Sequence, residues 1–162
     1  MGDLTTDEGR SRVVGVIHRE GPLEYLVNNA GYGAGGIFAE TDLESQQQQV
    51  DLHITATLAL TRAALPAMIE HGRGFIINLS SLVSFAGHPA GMVYGASKAF
   101  LNIFSEGLQQ EVAGQGIWME APAVVASSLE ALNEDQVIVV PGEHNLAAAR
   151  RRLQDSLKLL GG

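Results

Sequence analysis

The chain contains no cysteine. That absence excludes a disulfide framework, thiolate catalysis and cysteine-based zinc sites, and it fits a reducing compartment. Lysine is almost as scarce, with Lys98 and Lys158 as its two representatives, and 10 basic residues face 18 acidic ones for a formal charge of −8. A surface of that sign disfavours nucleic acid and anionic membrane as main partners, so a phosphate-bearing ligand would need local donors. The longest apolar runs are far too short to span a bilayer. The first residues, Met1-Gly2-Asp3-Leu4-Thr5-Thr6-Asp7-Glu8, are acidic and polar where a secretory signal is basic and then apolar, so a cytoplasmic location is expected. The five histidines (His18, His53, His71, His88, His144) share no i, i+3 or i, i+4 spacing, so no metal site is expected.

What remains is the composition of a packed globular protein. With 162 residues, 46% hydrophobic and 17% charged, the chain reads as a single domain over 1–162. Thr5 or Thr6 can cap a helix carrying Val13, Val14, Val16 and Ile17 up to Gly21-Pro22. Leu23 to Val27 then reads as a strand that runs into Asn28-Asn29 and a stretch with glycine at 31, 33, 35 and 36. A long amphipathic helix follows from Thr41-Asp42 toward Met68, with Pro66 in its last turns. Phe75 to Leu79 is a strand buried on both faces and ending on Ser80-Ser81, and a helix from about Tyr94 ends near Gly114. Ile117 to Met119 is a third strand. A helix at 124–132, a strand at 137–140 and a last helix at 145–160 complete the pattern, and the alternation predicts an α/β protein with a parallel sheet of about four strands.

Tyr94 and Lys98 lie four apart on one helix, so both project from the same face. In a chain with three tyrosines and two lysines, a Tyr-x-x-x-Lys pair is expected by chance only ~0.04 times. A phenol with a pKa near ~10 is a poor base at neutral pH, and a neighbouring ammonium favours its phenolate form. Ser81, at the carboxyl end of its strand, stands where parallel sheets gather functional groups, and its hydroxyl could hold a substrate oxygen; as a plain strand-to-loop cap it would need no such role. Gly31-Tyr32-Gly33-Ala34-Gly35-Gly36 satisfies the dinucleotide fingerprint G-x-G-x-x-G with Asp51 twenty residues on. The fingerprint requires the helix to open inside the motif, whereas Ile37 to Glu40 intervene here before a cap at Thr41 or Asp42, so the loop is not read as that fingerprint.

Asn28-Asn29-Ala30-Gly31 after a strand, Asn78-Leu79-Ser80-Ser81 ending another, and Tyr94-Gly95-Ala96-Ser97-Lys98-Ala99 resemble the short-chain dehydrogenase/reductase family in identity, order and spacing. The resemblance runs from about Asp3 to Met119 and weakly through Val140-Pro141-Gly142. It implies a three-layer Rossmann-like sandwich built from the later half of that fold, with Ser81 orienting the substrate oxygen, Tyr94 as general acid/base and Lys98 supporting both Tyr94 and the nicotinamide ribose. It also implies NAD or NADP as cofactor, contacted by Asn29, Ala30, Gly31, Tyr94 and Lys98, with Asp3 at the adenine. His53 stands where the family has a catalytic Asn. The family's T-G-x-x-x-G-I-G loop has no counterpart in the sequence, and neither do its first three strands nor most of its substrate lid. Two functions are therefore expected: hydride transfer between a nicotinamide and a small carbonyl or alcohol, or a catalytically silent subunit that keeps only the oligomerising or binding surfaces. Apolar residues on several faces of the two long helices, and the family's habit of pairing through them, imply a homodimer or homotetramer.

Overall fold

The computed structural model describes residues 2–120 apart from His88, together with Arg151 and Gln154. Helix α1 (Asp7–Glu20) is capped by Thr6, whose hydroxyl accepts the Gly9 N–H at 3.1 Å, with Asp7 and Glu8 placed at the positive end of the helix dipole. Strand β1 (Tyr25–Asn28) follows, then the glycine loop. Asp42 caps α2 (Leu43–Val50) through the Ser45 N–H at 2.8 Å. A wide π turn (Asp51–Thr55), in which Asp51 O accepts from Ala56 N–H five residues on, joins α2 to α3 (Ala56–His71) without a break. Gly72, in the left-handed conformation at φ 70°, ends α3 and leads into β2 (Gly74–Asn78). A 3-10 turn (Leu82–Phe85), helix α4 (Met92–Glu111) and strand β3 (Ile117–Glu120) complete the described core.

The three strands pair in parallel in the order β1-β2-β3, with Leu26 opposite Ile76 and Ile76 opposite Met119. Both crossovers step the same way across the sheet, so right-handed connections put α3 and α4 on one face. Packing agrees: Leu26 and Ile76 share a buried cluster with Ile17 of α1, Leu60, Ala64 and Met68 of α3, and Val112 at the end of α4. The α/β architecture and the parallel pairing are as the sequence predicts. Strand limits shift by one or two residues. β1 starts at Tyr25 rather than Leu23 and is an edge strand among the described residues, and α4 opens at Met92 rather than Tyr94. The elements expected at 124–132 and 137–140 lie outside the described residues, and of the expected last helix only Arg151 and Gln154 lie within them, both helical.

The continuous helix Leu43–His71 is long and apolar enough to cross a membrane by length and composition. Its buried polar side chains argue for a helix packed on the protein instead. Polar side chains at Gln46, Gln49, His53, Thr57 and Thr61 are buried against the protein, where a lipid-facing helix would present apolar ones. At the carboxyl end of the sheet, Asn28 Nδ2 donates to Asn78 Oδ1 (2.7 Å) and Asn78 Nδ2 donates to Ser105 Oγ (2.9 Å). Buried amides satisfied in this way fix β1, β2 and α4 to one another.

Candidate active site

The first turns of α4 lie against the carboxyl ends of β1 and β2. Lys98 is 5% exposed, and its ammonium donates to the Leu79 carbonyl at 2.6 Å while its own carbonyl accepts from Ser80 Oγ at 2.9 Å. The end of β2 is thereby stapled to α4 from both sides of one residue. Burial disfavours the charged amine and holds the Lys98 pKa below its ordinary value. The Lys98 Nζ stands 5.8 Å from the centre of the Tyr94 ring, so the pair expected from sequence shares one site. Ser81 heads the 3-10 turn, accepting the Val83 N–H on its Oγ at 3.4 Å and the Ser84 N–H on its carbonyl at 3.0 Å. That turn rests on α4: Asn102 Nδ2 donates to Ser84 Oγ, and a Cβ on Gly95 would lie 3.3 Å from the Val83 carbonyl.

The glycine loop runs along this helix in order. A Cβ at Gly31 would stand 2.7 Å from His53 Nε2 and 3.5 Å from Lys98 Nζ, so only glycine fits there. Two residues on, a Cβ at Gly33 would stand 3.7 Å from the Tyr94 ring, and farther along Gly36 N–H donates to the Ala90 carbonyl at 2.9 Å. Asn29 and Ala30 are exposed at the start of the loop. The glycine motif does not open a helix, since α2 begins at Leu43, which agrees with rejecting the fingerprint reading. Asp3 is exposed ahead of α1, its carboxylate accepting from the Thr5 N–H (3.0 Å) and hydroxyl (2.8 Å), which holds its pKa below the ordinary value. The short link from α1 to β1 makes the two antiparallel and puts Asp3 at the same edge of the sheet as Asn29.

His53, 1% exposed, sits inside the site with both ring nitrogens engaged. Nε2 accepts the Tyr32 N–H at 3.2 Å, and Nδ1 lies 2.7 Å from Ser97 Oγ, whose proton goes to the Tyr94 carbonyl at 2.8 Å. These bonds close only if the imidazole is neutral with its proton on Nδ1. Burial, aided by the Lys98 charge, pushes the His53 pKa down to about 4. The ring also meets Tyr94 edge-on, 5.6 Å between centres. His53 therefore ties the glycine loop to α4. Spacing along the chain carries no hint of its partner Ser97, 44 residues later; the one available signal is that Ser97 adjoins Lys98 and lies three residues after Tyr94. Because the folded pKa lies below the unfolded value near ~6.5, the contribution of His53 to stability is complete above that value and is lost as pH falls toward about 4. Thermal melts from pH 7 to pH 4 should show a decline that His53→Asn, which cannot titrate, shows less; equal declines would sink this assignment.

No group of three or more metal-binding side chains occurs among the described residues. The family model described as short chain dehydrogenase matches residues 1–137. The serine 3-dehydrogenase of Rhizobium radiobacter is 38% identical over 117 residues, covering 71% of this chain and 47% of that protein. Among solved structures, an alcohol dehydrogenase from Comamonas testosteroni described as specific for bulky-bulky ketones superposes with a TM-score of 0.83 at 26% identity, covering 99% of this chain and 72% of that one. A short-chain dehydrogenase from Sphingobium yanoikuyae in complex with NADPH superposes at 0.82 with 25% identity, covering 98% of this chain and 72% of that one. These neighbours share the Rossmann-like fold. The chain spans about half the length, or less, of the curated relatives it matches.

Proposed function

This chain belongs to the short-chain dehydrogenase family, and from that premise we propose that it is an NAD(P)-dependent oxidoreductase interconverting a small carbonyl compound and its secondary alcohol. The observation that carries the reading is the buried Lys98 ammonium 5.8 Å from the Tyr94 ring, beside a loop too tight for any side chain at Gly31. Tyr94 transfers the proton to or from the substrate oxygen, Lys98 stabilises the phenolate left behind, and Ser81 holds the oxygen in place. His53 is a positioning residue, since both its nitrogens are committed to Tyr32 and Ser97.

The residues present fit the nicotinamide end of such a cofactor. Asn29, Ala30 and Gly31 offer an exposed, small-residue loop at the carboxyl edge of β1, and the bond from Lys98 to Leu79 uses one of the three ammonium donors. Asp3, at the same edge, is assigned to the adenine end. When bound, the nicotinamide supplies or accepts the hydride. We place the protein in the cytoplasm as a homodimer whose second copy seats on the groove of about 810 Å³ between α3 and α4. Leu58, 40% exposed, lines that groove together with Leu65, Ile69, Phe104 and Leu108.

Calorimetric titration of the purified chain with NADH and with NADPH tests the reading, and light scattering of the same sample tests the pairing. Micromolar binding of one nucleotide by a dimer is expected. Silence toward both at millimolar concentration would replace the enzyme with the silent subunit, and a monomer would remove the pairing.

A further inference from the structure

Helix α4 carries Asn102 one turn beyond Lys98, and this stretch of the helix meets the chain that leaves β2 residue by residue. Ser105 Oγ accepts from Asn78 at 2.9 Å, the Lys98 ammonium donates to the Leu79 carbonyl at 2.6 Å, and the Lys98 carbonyl accepts from Ser80 Oγ at 2.9 Å. Ser81 comes next, and α4 reaches it through an intermediary. Asn102 Nδ2 donates to Ser84 Oγ at 2.9 Å, while the Ser84 hydroxyl and N–H both donate to the Ser81 carbonyl, at 2.5 and 3.0 Å. An amide that donates to a hydroxyl polarises it and strengthens the bond which that hydroxyl donates in turn.

Two observations separate this tie from ordinary packing. No residue of the turn Leu82–Phe85 is buried, so its place is not fixed by a side chain sunk in the core. Asn102 is itself 6% exposed, and its Oδ1 is buried with no hydrogen-bond partner among the described residues. A buried acceptor in that state costs stability, so a leucine of similar size would suit the packing at least as well. What leucine cannot supply is the N–H for Ser84. We infer that Asn102 is a positioning residue: through Ser84 it fixes the Ser81 backbone, and with it the direction in which the Ser81 hydroxyl points. The inference rests on the reading of Ser81 as the group that holds the substrate oxygen. A Ser81 left to move with its turn would meet that oxygen less often in a productive geometry, so the loss should fall on kcat rather than on nucleotide binding.

Four variants of the full chain test this. Asn102→Leu and Ser84→Ala should each lower kcat/KM for a ketone about tenfold, the worth of one hydrogen bond, with nucleotide affinity unchanged and the melting temperature within about 3 °C of the parent chain. The double variant should lose no more than either single one, because both changes break the same chain of bonds. Ser84→Thr, which keeps a hydroxyl, should recover most of the rate lost in Ser84→Ala. Amide hydrogen exchange by NMR gives a readout independent of turnover. In Asn102→Leu the Ser84 N–H should exchange about tenfold faster, while Ile76 and Ile77 in β2 keep their protection. Parental kcat/KM in both single variants, additive losses in the double variant, a fall in nucleotide affinity that matches the loss of rate, or unchanged exchange at Ser84 would overturn the positioning role. Faster exchange in Asn102→Leu, in a chain that turns over no carbonyl compound, would uphold the tie between Asn102 and Ser81 and overturn the oxidoreductase reading instead.

Discussion

Tyr94→Phe is expected to lower carbonyl reduction by ~10² to 10⁴-fold, the usual worth of a positioned proton donor. The change removes one oxygen and spares the ring. The edge-on contact with His53 at 5.6 Å and the approach of Gly33 both involve ring carbons, so folding and the course of the glycine loop should survive. Loss of rate with unchanged nucleotide affinity would identify the hydroxyl as the group that moves the proton. Steady-state oxidation of NADPH or NADH against a ketone reads the effect directly, and a wild-type rate in the variant would remove Tyr94 from the mechanism.

Lys98→Met should be as harmful to turnover, by ~10² or more, and should also weaken nucleotide binding at least tenfold. Methionine approximates the length of the side chain and removes its charge. The ammonium is buried, and its pKa is held low by that burial, so taking it away relieves a desolvation cost while depriving the Leu79 carbonyl of its donor. These terms oppose each other, and the melting temperature should move by only a few degrees. Sign supports the same picture: a lysine whose folded pKa is lowered disfavours folding while it is charged, so stability should improve as pH rises past its folded pKa toward the unfolded value. A merely structural lysine would shift the melt without touching nucleotide affinity, and that outcome would refute the double role.

Much of this site is legible in the order of the residues alone. Tyr94 and Lys98 share a face because helical spacing requires it, and Ser81 falls at the end of a strand that its apolar run announces. The caps are legible to within one residue, as Thr5 or Thr6 and as Thr41 or Asp42, and the structure selects Thr6 and Asp42, each offering a side-chain oxygen to an N–H three residues on. The start of α4 is not. Gly91 precedes it without any side-chain capping bond, so nothing local marks Met92 as the first residue. The bond from His53 to Ser97 is hidden for another reason: it joins two helices separated by a strand and a turn, and depends on how they pack rather than on any spacing. The same holds for Asn28, Asn78 and Ser105, which fall at a turn, in a strand and in a helix along the sequence and become a buried link only once the sheet brings them together.

The π turn at Asp51–Thr55 sets the angular phase of the whole segment Leu43–His71. Upstream, Gln49 is buried and donates to the Tyr32 carbonyl; within the turn, buried His53 accepts the Tyr32 N–H; downstream, Leu60, Ala64 and Met68 are buried in the cluster shared with the sheet. One buried stripe thus runs along a single helical axis from polar side chains to apolar ones. Removing a single residue from this turn would swing one half against the other by about 100°, and the chain would have to choose between its polar latch and its apolar core. The extra residue works as a gear tooth: it keeps the two ends of the helix meshed with different partners.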